Sequence, residues 1–126
     1  MLTDAIVQAA LPCSDFERAK NFYKEKIGVS PSEEDPQGAY YTCAEGTGFF
    51  LFPSSGTASG THTQVGFQVS DIEAEVAELK SGGVKFEEYD SPQLKTENSI
   101  AMLGTEKGAW FKDSEGNMLA LFQRGT

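Results

Sequence analysis

Cysteine is scarce in this chain. Cys13 and Cys43 are the only two, and neither belongs to a C-x-x-C or similar metal-type spacing. That excludes a disulfide-stapled scaffold and a thiolate zinc site, and it fits reduced thiols in the cytoplasm. Histidine is scarcer still, with His62 alone, so a Cys–His pair or a Ser/His/Asp triad has little to draw on. Basic residues are few: 10 Lys and Arg stand against 19 Asp and Glu, a formal charge of −9. Nucleic acid needs a basic footprint, and an anionic membrane surface attracts basic segments, so neither is an expected partner. A cationic ligand is compatible, because an acidic surface concentrates cations. No apolar run approaches the ~20 residues of a membrane span. The opening residues, MLTDAIVQAALPC, have no basic cluster before their apolar stretch, which reads as no secretory signal. No Gly-rich phosphate loop and no G-x-S-x-G motif is present.

What is present is a repeat. Shifting the chain by 56 residues puts Gln8 on Gln64, Ser14 on Ser70, Asp15 on Asp71 and Glu17 on Glu73. Shifting it by 70 puts Gly38-Ala39-Tyr40-Tyr41 on Gly108-Ala109-Trp110-Phe111, Glu45-Gly46 on Glu115-Gly116, and Leu51-Phe52 on Leu121-Phe122. The shift grows by 14 residues, so the second copy carries an insertion within Val84–Lys107. Each copy opens on a short apolar strand, roughly Ala5–Cys13 and Thr63–Val69. Ser14-Asp15-Phe16-Glu17 and Ser70-Asp71-Ile72-Glu73 then fit the capping box, predicting helices over Asp15–Lys26 and Asp71–Ser81. Strands joined by Gly-bearing turns at residues 44–47 and 113–117 close each copy. The expectation is an α+β fold of one domain, 1–126. Two βαβββ modules, about 1–56 and 61–126, share a curved mixed sheet with helices on one face and a cup on the other. Thr57–Thr61 read as the loop between modules.

Two motifs carry a family resemblance: Ser14-Asp15-Phe16-Glu17-Arg18-Ala19-x-x-Phe22-Tyr23 followed by Ile27-Gly28, and Phe111-Lys112-Asp113-Ser114-Glu115-Gly116-Asn117-x-Leu119. In this order and duplicated, the chain resembles the vicinal oxygen chelate superfamily of glyoxalases, bleomycin-resistance proteins and extradiol dioxygenases. The resemblance covers essentially the whole chain. It implies paired modules, a cup-shaped site and a homodimer; one fold hosts many chemistries, so it implies no single reaction. Metal-using members place ligands on the first and last strand of each module. Here those positions are Gln8, Phe50, Gln64 and Ala120. Two neutral amides and two apolar side chains suit no divalent transition metal, so no metal and no other cofactor is expected. His62 lies two residues before Gln64 and is a strand-mouth residue, with a displaced ligand as the alternative.

Alternation along the strands turns Gln64, Gly66 and Gln68 to the cup and Val65, Phe67 and Val69 to the helices. The predicted ligand-binding set is Gln8, Tyr40, Phe50, Phe52, Gln64, Gln68, Trp110, Met118 and Ala120, an aromatic wall with a few amides, and no catalytic residue is assigned. The insertion forms a strand plus a loop over the cup mouth, or a solvated acidic loop. The composite reading is a cytoplasmic protein that binds a small organic, perhaps cationic, molecule. A lyase- or dioxygenase-like enzyme with a non-standard site and a protein-interaction module stand as alternatives.

Overall fold

The structure is a computed structural model, and it describes residues 1–56, 58 and 62–125. The expected inter-module loop, 57–61, falls largely outside them. Module one contributes β1 (Ala9–Cys13), α1 (Phe16–Phe22), β2 (Glu33–Asp35), β3 (Gly38–Thr42) and β4 (Gly48–Pro53). Module two contributes β5 (Thr63–Gln68), α2 (Ile72–Ser81), β6 (Thr96–Glu97), β7 (Ile100–Leu103), β8 (Glu106–Lys112) and β9 (Met118–Gln123). The strands form two open, curved, mixed sheets in the orders β1-β4-β3-β2 and β5-β9-β8-β7-β6. In each, the first and last strands of the module run parallel, β1 with β4 and β5 with β9, and the rest is antiparallel. This is the expected βαβββ plan used twice. The one addition is the two-residue β6, which pairs with Ile100 and Ala101 and belongs to the insertion.

Both helices start one residue later than the capping-box reading places them. Asp15 is the N-cap of α1 and accepts from the Arg18 backbone N–H at 3.0 Å; Asp71 caps α2 and accepts from Ala74 N–H at 3.2 Å. Ser and Asp are both strong caps, and S-D-x-E can be read from either residue. The carboxylate adds charge that favours a helix N-terminus, and Asp takes the position. The backbone N–H and hydroxyl of Ser14 turn instead to Glu115. Beyond Phe22 the helix widens into a π-type turn over Tyr23–Ile27, stopped by Gly28 at φ +85°. The helical span therefore agrees with the predicted one.

The first strand is shorter than the sequence suggests. Ala9 pairs with Phe49, and β4 begins at Gly48. Residues 5–7 therefore extend past their only parallel neighbour, with no ladder partner. Ile6 and Val7 are 96% and 89% exposed.

A single core joins the modules. Leu11, Tyr23, Tyr41, Phe49 and Leu51 of module one and Ile72, Val76, Phe111, Leu119 and Leu121 of module two are buried in it. Tyr41 stacks on Phe49 at 4.7 Å between centroids, and Phe49 meets Phe67 edge-on at 6.2 Å across the module boundary. Val65, Phe67 and Val69 pack against this core while Gly66 and Gln68 are exposed, the alternation the sequence predicts. No helix among the described residues is long and apolar enough to cross a membrane.

Candidate functional site

On the face away from the core, aromatic rings lie flat over glycines. A Cβ on Gly108 would come within 3.0 Å of the Trp110 ring, and one on Gly66 within 3.2 Å of Phe122. A Cβ on Gly38 would meet the Phe50 ring at 2.8 Å. The repeated glycines Gly38 and Gly108 thus make room for large side chains to recline along the sheet.

Around Trp110 a cavity of about 410 Å³ opens, lined by His62, Thr63, Glu87, Tyr89, Leu94 and Met118 as well. Trp110 Nε1 donates to Thr63 Oγ1 at 3.1 Å, which fixes the ring plane. Tyr89 meets it edge to face, 5.7 Å between centroids at 88°. Met118, buried on β9, is the floor. The opposite wall comes from the insertion. Glu87 N–H donates to Trp110 O at 2.7 Å, and Phe86 bridges Phe111, so residues 86–87 run alongside β8. Glu88 turns away from the cavity and accepts from Thr96 Oγ1, from the Ser99 backbone N–H and from the Ser99 hydroxyl. These hydrogen bonds, Ser99 foremost, hold its carboxyl below the usual glutamate range. Tyr89 N–H donates to Thr96 Oγ1 and Thr96 N–H to Tyr89 O. Pinned this way, the insertion holds Tyr89 and Leu94 against the cavity. The insertion combines features of both expected forms, a short strand and one wall of the cavity together with exposed Glu88, Asp90, Glu97 and Glu106.

A second cavity, of about 350 Å³, lies at the seam where the β3–β4 turn faces β5 and β9. Phe49, Val65 and Phe67 form its apolar floor, and Cys43, Glu45 and Gln68 its polar margin.

The predicted residues do not share one site. Trp110 and Met118 line the first cavity, and Gln68 lines the second. Tyr40, Phe50 and Phe52 line neither; they pack together on module one, Tyr40 tilted by 35° against Phe50 at 4.4 Å and Phe50 stacked on Phe52 at 5.9 Å. Ala120 is buried opposite Trp110 in the ladder. Gln8 is exposed just ahead of β1. Gln64 sits at a bulge in the β5–β9 ladder, and its amide oxygen accepts from Met118 N–H at 3.3 Å. Glu87, Tyr89 and Leu94 join the site although the sequence does not point to them. The available signal was the alternation Phe86-Glu87-Glu88-Tyr89 inside an otherwise charged insertion.

The donor set at the four strand positions does not fit a divalent transition metal. Gln8 is in solvent, the Gln64 oxygen is engaged by backbone, the Phe50 ring is packed between Tyr40 and Phe52, and Ala120 has no donor. Among the described residues, no three His, Cys, Asp or Glu side chains are grouped to hold an ion.

Comparison with known proteins now decides the family. The sequence model of the Glyoxalase/Bleomycin resistance protein/Dioxygenase superfamily matches residues 5–121. The chain belongs to this superfamily. Solved structures share the fold at low identity. A glyoxalase family protein from Enterococcus faecalis superposes with a TM-score of 0.71 at 22% identity, over 97% of this chain and 99% of that one. The oxidase ChaP-H2 gives 0.71 at 18%, over 97% and 94%. TnmS3, an antibiotic binding protein from Streptomyces sp. CB03234, gives 0.65 at 24%, over 96% and 98%. No curated protein matches the sequence.

Proposed function

We propose that this superfamily member is a cytoplasmic, homodimeric small-molecule-binding protein that works without a bound metal and takes a flat organic ligand into the Trp110 cavity. The observation that carries the reading is the perpendicular pair Trp110 and Tyr89 in a cavity that the acidic residue Glu87 also lines. Aromatic walls supply contact area and a face for a cation, each contact worth about 0.5–2 kcal/mol. A carboxylate at the same cavity favours a ligand carrying positive charge. The likeness in fold to an antibiotic binding protein supports the same direction. On module one, Tyr40, Phe50 and Phe52 offer a further aromatic surface; Gln8 ahead of it and, on module two, Gln68 and the Gln64 amide nitrogen are polar orienters for larger ligands.

Trp110 is the only tryptophan, so its fluorescence reports the cavity. Titration with a panel of cationic, neutral and anionic aromatic compounds is expected to change the signal for cationic or neutral members. Glu87→Gln should weaken the cationic ones about tenfold while sparing the neutral ones. A Trp110 signal that no compound moves, with no compound raising the thermal midpoint, overturns the reading and favours a protein-interaction role.

A second reading is favoured by one specific observation: His62 and Glu87 line the same cavity. An imidazole and a carboxylate facing one ligand are the minimum for proton transfer, which a metal-free lyase-like enzyme would need. Turnover of a bound compound, abolished by His62→Ala with binding retained, distinguishes it.

A further inference from the structure

The 350 Å³ cavity between the β3–β4 turn and β5 shares no lining residue with the Trp110 cavity, so it is a separate opening. The repeat shows what it lacks. Where the β8–β9 turn meets α1, two donors close the corresponding space. Arg18 Nε and Nη2 donate to the two carboxylate oxygens of Glu115 at 2.8 and 3.0 Å, and Asn117 Nδ2 donates to Pro12 O at 3.0 Å. The counterparts of both acceptors line the cavity: Glu45 stands for Glu115, and Gln68 for Pro12. The counterparts of both donors are lost. Ala74 stands for Arg18 and carries no guanidinium; Thr47 stands for Asn117 and turns its hydroxyl back to Ala44 O at 2.6 Å. Among the described residues no cation pairs with the Glu45 carboxylate. The Gln68 carbonyl is in the same position. Val69 N–H donates to Phe122 O, so by alternation the Gln68 backbone faces away from β9, and on that side β5 is the edge of its sheet.

We propose that this cavity binds a small alkylguanidinium compound, whose head group takes the place that Arg18 has beside Glu115 and whose apolar tail lies on Phe49, Val65 and Phe67. The head group follows from the acceptors. A guanidinium is planar and permanently charged, and its fork meets a carboxylate with two parallel hydrogen bonds, the pattern that Arg18 and Glu115 form in this same chain. A further N–H of the fork is left for the Gln68 carbonyl, as the Asn117 amide serves Pro12 O. An ammonium has no fork and meets a carboxylate as a point charge. The tail follows from the floor, which is apolar and formed by Phe49, Val65 and Phe67. A volume of about 350 Å³ is at the small end of ligand clefts and suits a short chain. The net charge of −9 draws a cation towards the protein, and Glu45 is the charged group waiting at this cavity. The site stands independently of the ligand proposed for Trp110.

The test is calorimetric titration of the full chain with butylguanidinium, with Trp110 fluorescence recorded on the same samples. Binding is expected with a Kd on the order of 1 mM, and the fluorescence should not move. Glu45→Gln changes an exposed side chain, so its thermal melting should be native-like, and it should bind at least about tenfold more weakly. Butylammonium should bind the native chain about tenfold more weakly than butylguanidinium. Ala74→Arg, also at an exposed position, supplies the missing guanidinium from α2; it should raise the thermal midpoint and block butylguanidinium. N-acetylarginine methylamide carries the same head group on a peptide backbone and should bind more weakly than butylguanidinium. A native chain that gives no heat up to about 10 mM overturns the proposal and leaves the Trp110 reading untouched. Binding that survives Glu45→Gln, or that moves the Trp110 signal, lies elsewhere and overturns it. Equal binding of butylammonium overturns the guanidinium class, and binding undiminished in Ala74→Arg overturns the likeness to Arg18. Tighter binding of the peptide analogue overturns the small-molecule assignment in favour of an arginine from another chain.

Discussion

The two modules meet along two seams that the repeat makes equivalent, and the structure closes only one of them. At the first, the β8–β9 turn of module two lies against the start of α1. Glu115 Oε1 accepts from the backbone N–H of Ser14 and Asp15 at 3.0 and 3.1 Å and from Arg18 at 3.0 Å, while Arg18 Nε reaches Oε2 at 2.8 Å. Behind it, the buried Asp113 carboxylate accepts from Tyr23 Oη at 2.6 Å, from Asn117 Nδ2 and from the backbone N–H of Glu115 and Asn117. Asn117 Nδ2 also donates to Pro12 O. At the second seam the equivalent turn, Cys43 to Thr47, stands off from β5 and leaves the 350 Å³ cavity. The repeat shows why. Asp113 corresponds to Cys43, Asn117 to Thr47, Arg18 to Ala74 and Tyr23 to Leu79. Glu45 corresponds to Glu115 but has no guanidinium to meet, and Cys43, in the place of Asp113, has no tyrosine hydroxyl. The lesson is that a duplicated backbone does not duplicate its interfaces; the side chains that lock a seam are few and must occur together.

The strongest way to break the difference is to remove the buried carboxylate. Asp113→Ala strands the buried Tyr23 hydroxyl and removes the partner of the Glu115 and Asn117 backbone N–H groups, while Asn117 Nδ2 keeps Pro12 O; each unpaired buried polar group costs about 1–3 kcal/mol. A loss of about 3 kcal/mol or more in denaturant unfolding is expected. Its counterpart Cys43→Ala, at the seam that is already open, should cost under about 1 kcal/mol. Equal losses at the two positions would show that the closed seam contributes no more than the open one.

A smaller effect carries a pH signature. Arg18 foremost, with Ser114 and the backbone N–H groups of Asp15 and Ser14, holds the Glu115 carboxyl at about 2, below the usual range. A carboxyl that ionises more readily when folded stabilises the fold wherever it is charged in both states. That contribution is complete above the unfolded glutamate value of about 4.3, declines as pH falls below it, and is gone below about 2. Glu115→Gln should therefore cost about 1–2 kcal/mol at pH 7, discounted for the half-exposed Arg18, and flatten the acid limb of the stability profile.

These interactions also mark where the sequence stops being informative. The duplicated helix starts, the βαβββ succession of each module and the face of β5 that meets the core were all legible, because they follow from local spacing and alternation; which strands pair within each sheet was not. The extent of β1 was not, since a strand ends where its neighbour ends, and nothing in Ala5-Ile6-Val7 announces that β4 begins only at Gly48. The capping residue was ambiguous for a chemical reason, two good caps in adjacent positions. The site was half legible. Trp110 and Met118 follow from register, but their companions Glu87, Tyr89 and Leu94 come from an insertion without a repeat mate, so no internal comparison points to them. Gln64 was placed on the right strand, yet a bulge at its own position spends its amide on the ladder, and a bulge breaks the alternation on which the prediction relied.

The smallest expected effect tests whether Glu45 keeps any of the role its repeat mate has. Glu45 adopts a left-handed backbone at φ 57° and ψ 35°, a region that costs a residue with a side chain roughly 1–2 kcal/mol. Glycine occupies that region freely, but it gives the unfolded chain more conformational freedom, which offsets roughly 0.5–1 kcal/mol. The two opposing changes leave Glu45→Gly stabilising by about 0.5 kcal/mol, provided the carboxylate makes no contact of its own. The open seam predicts that proviso is met, because no ion pair or hydrogen bond to the Glu45 side chain occurs among the described residues. A small rise in the denaturant midpoint with an unchanged slope is the expected result. If stability falls instead by about 1 kcal/mol, the Glu45 carboxylate is holding the second seam in solution, and the asymmetry between the two seams is smaller than the structure shows.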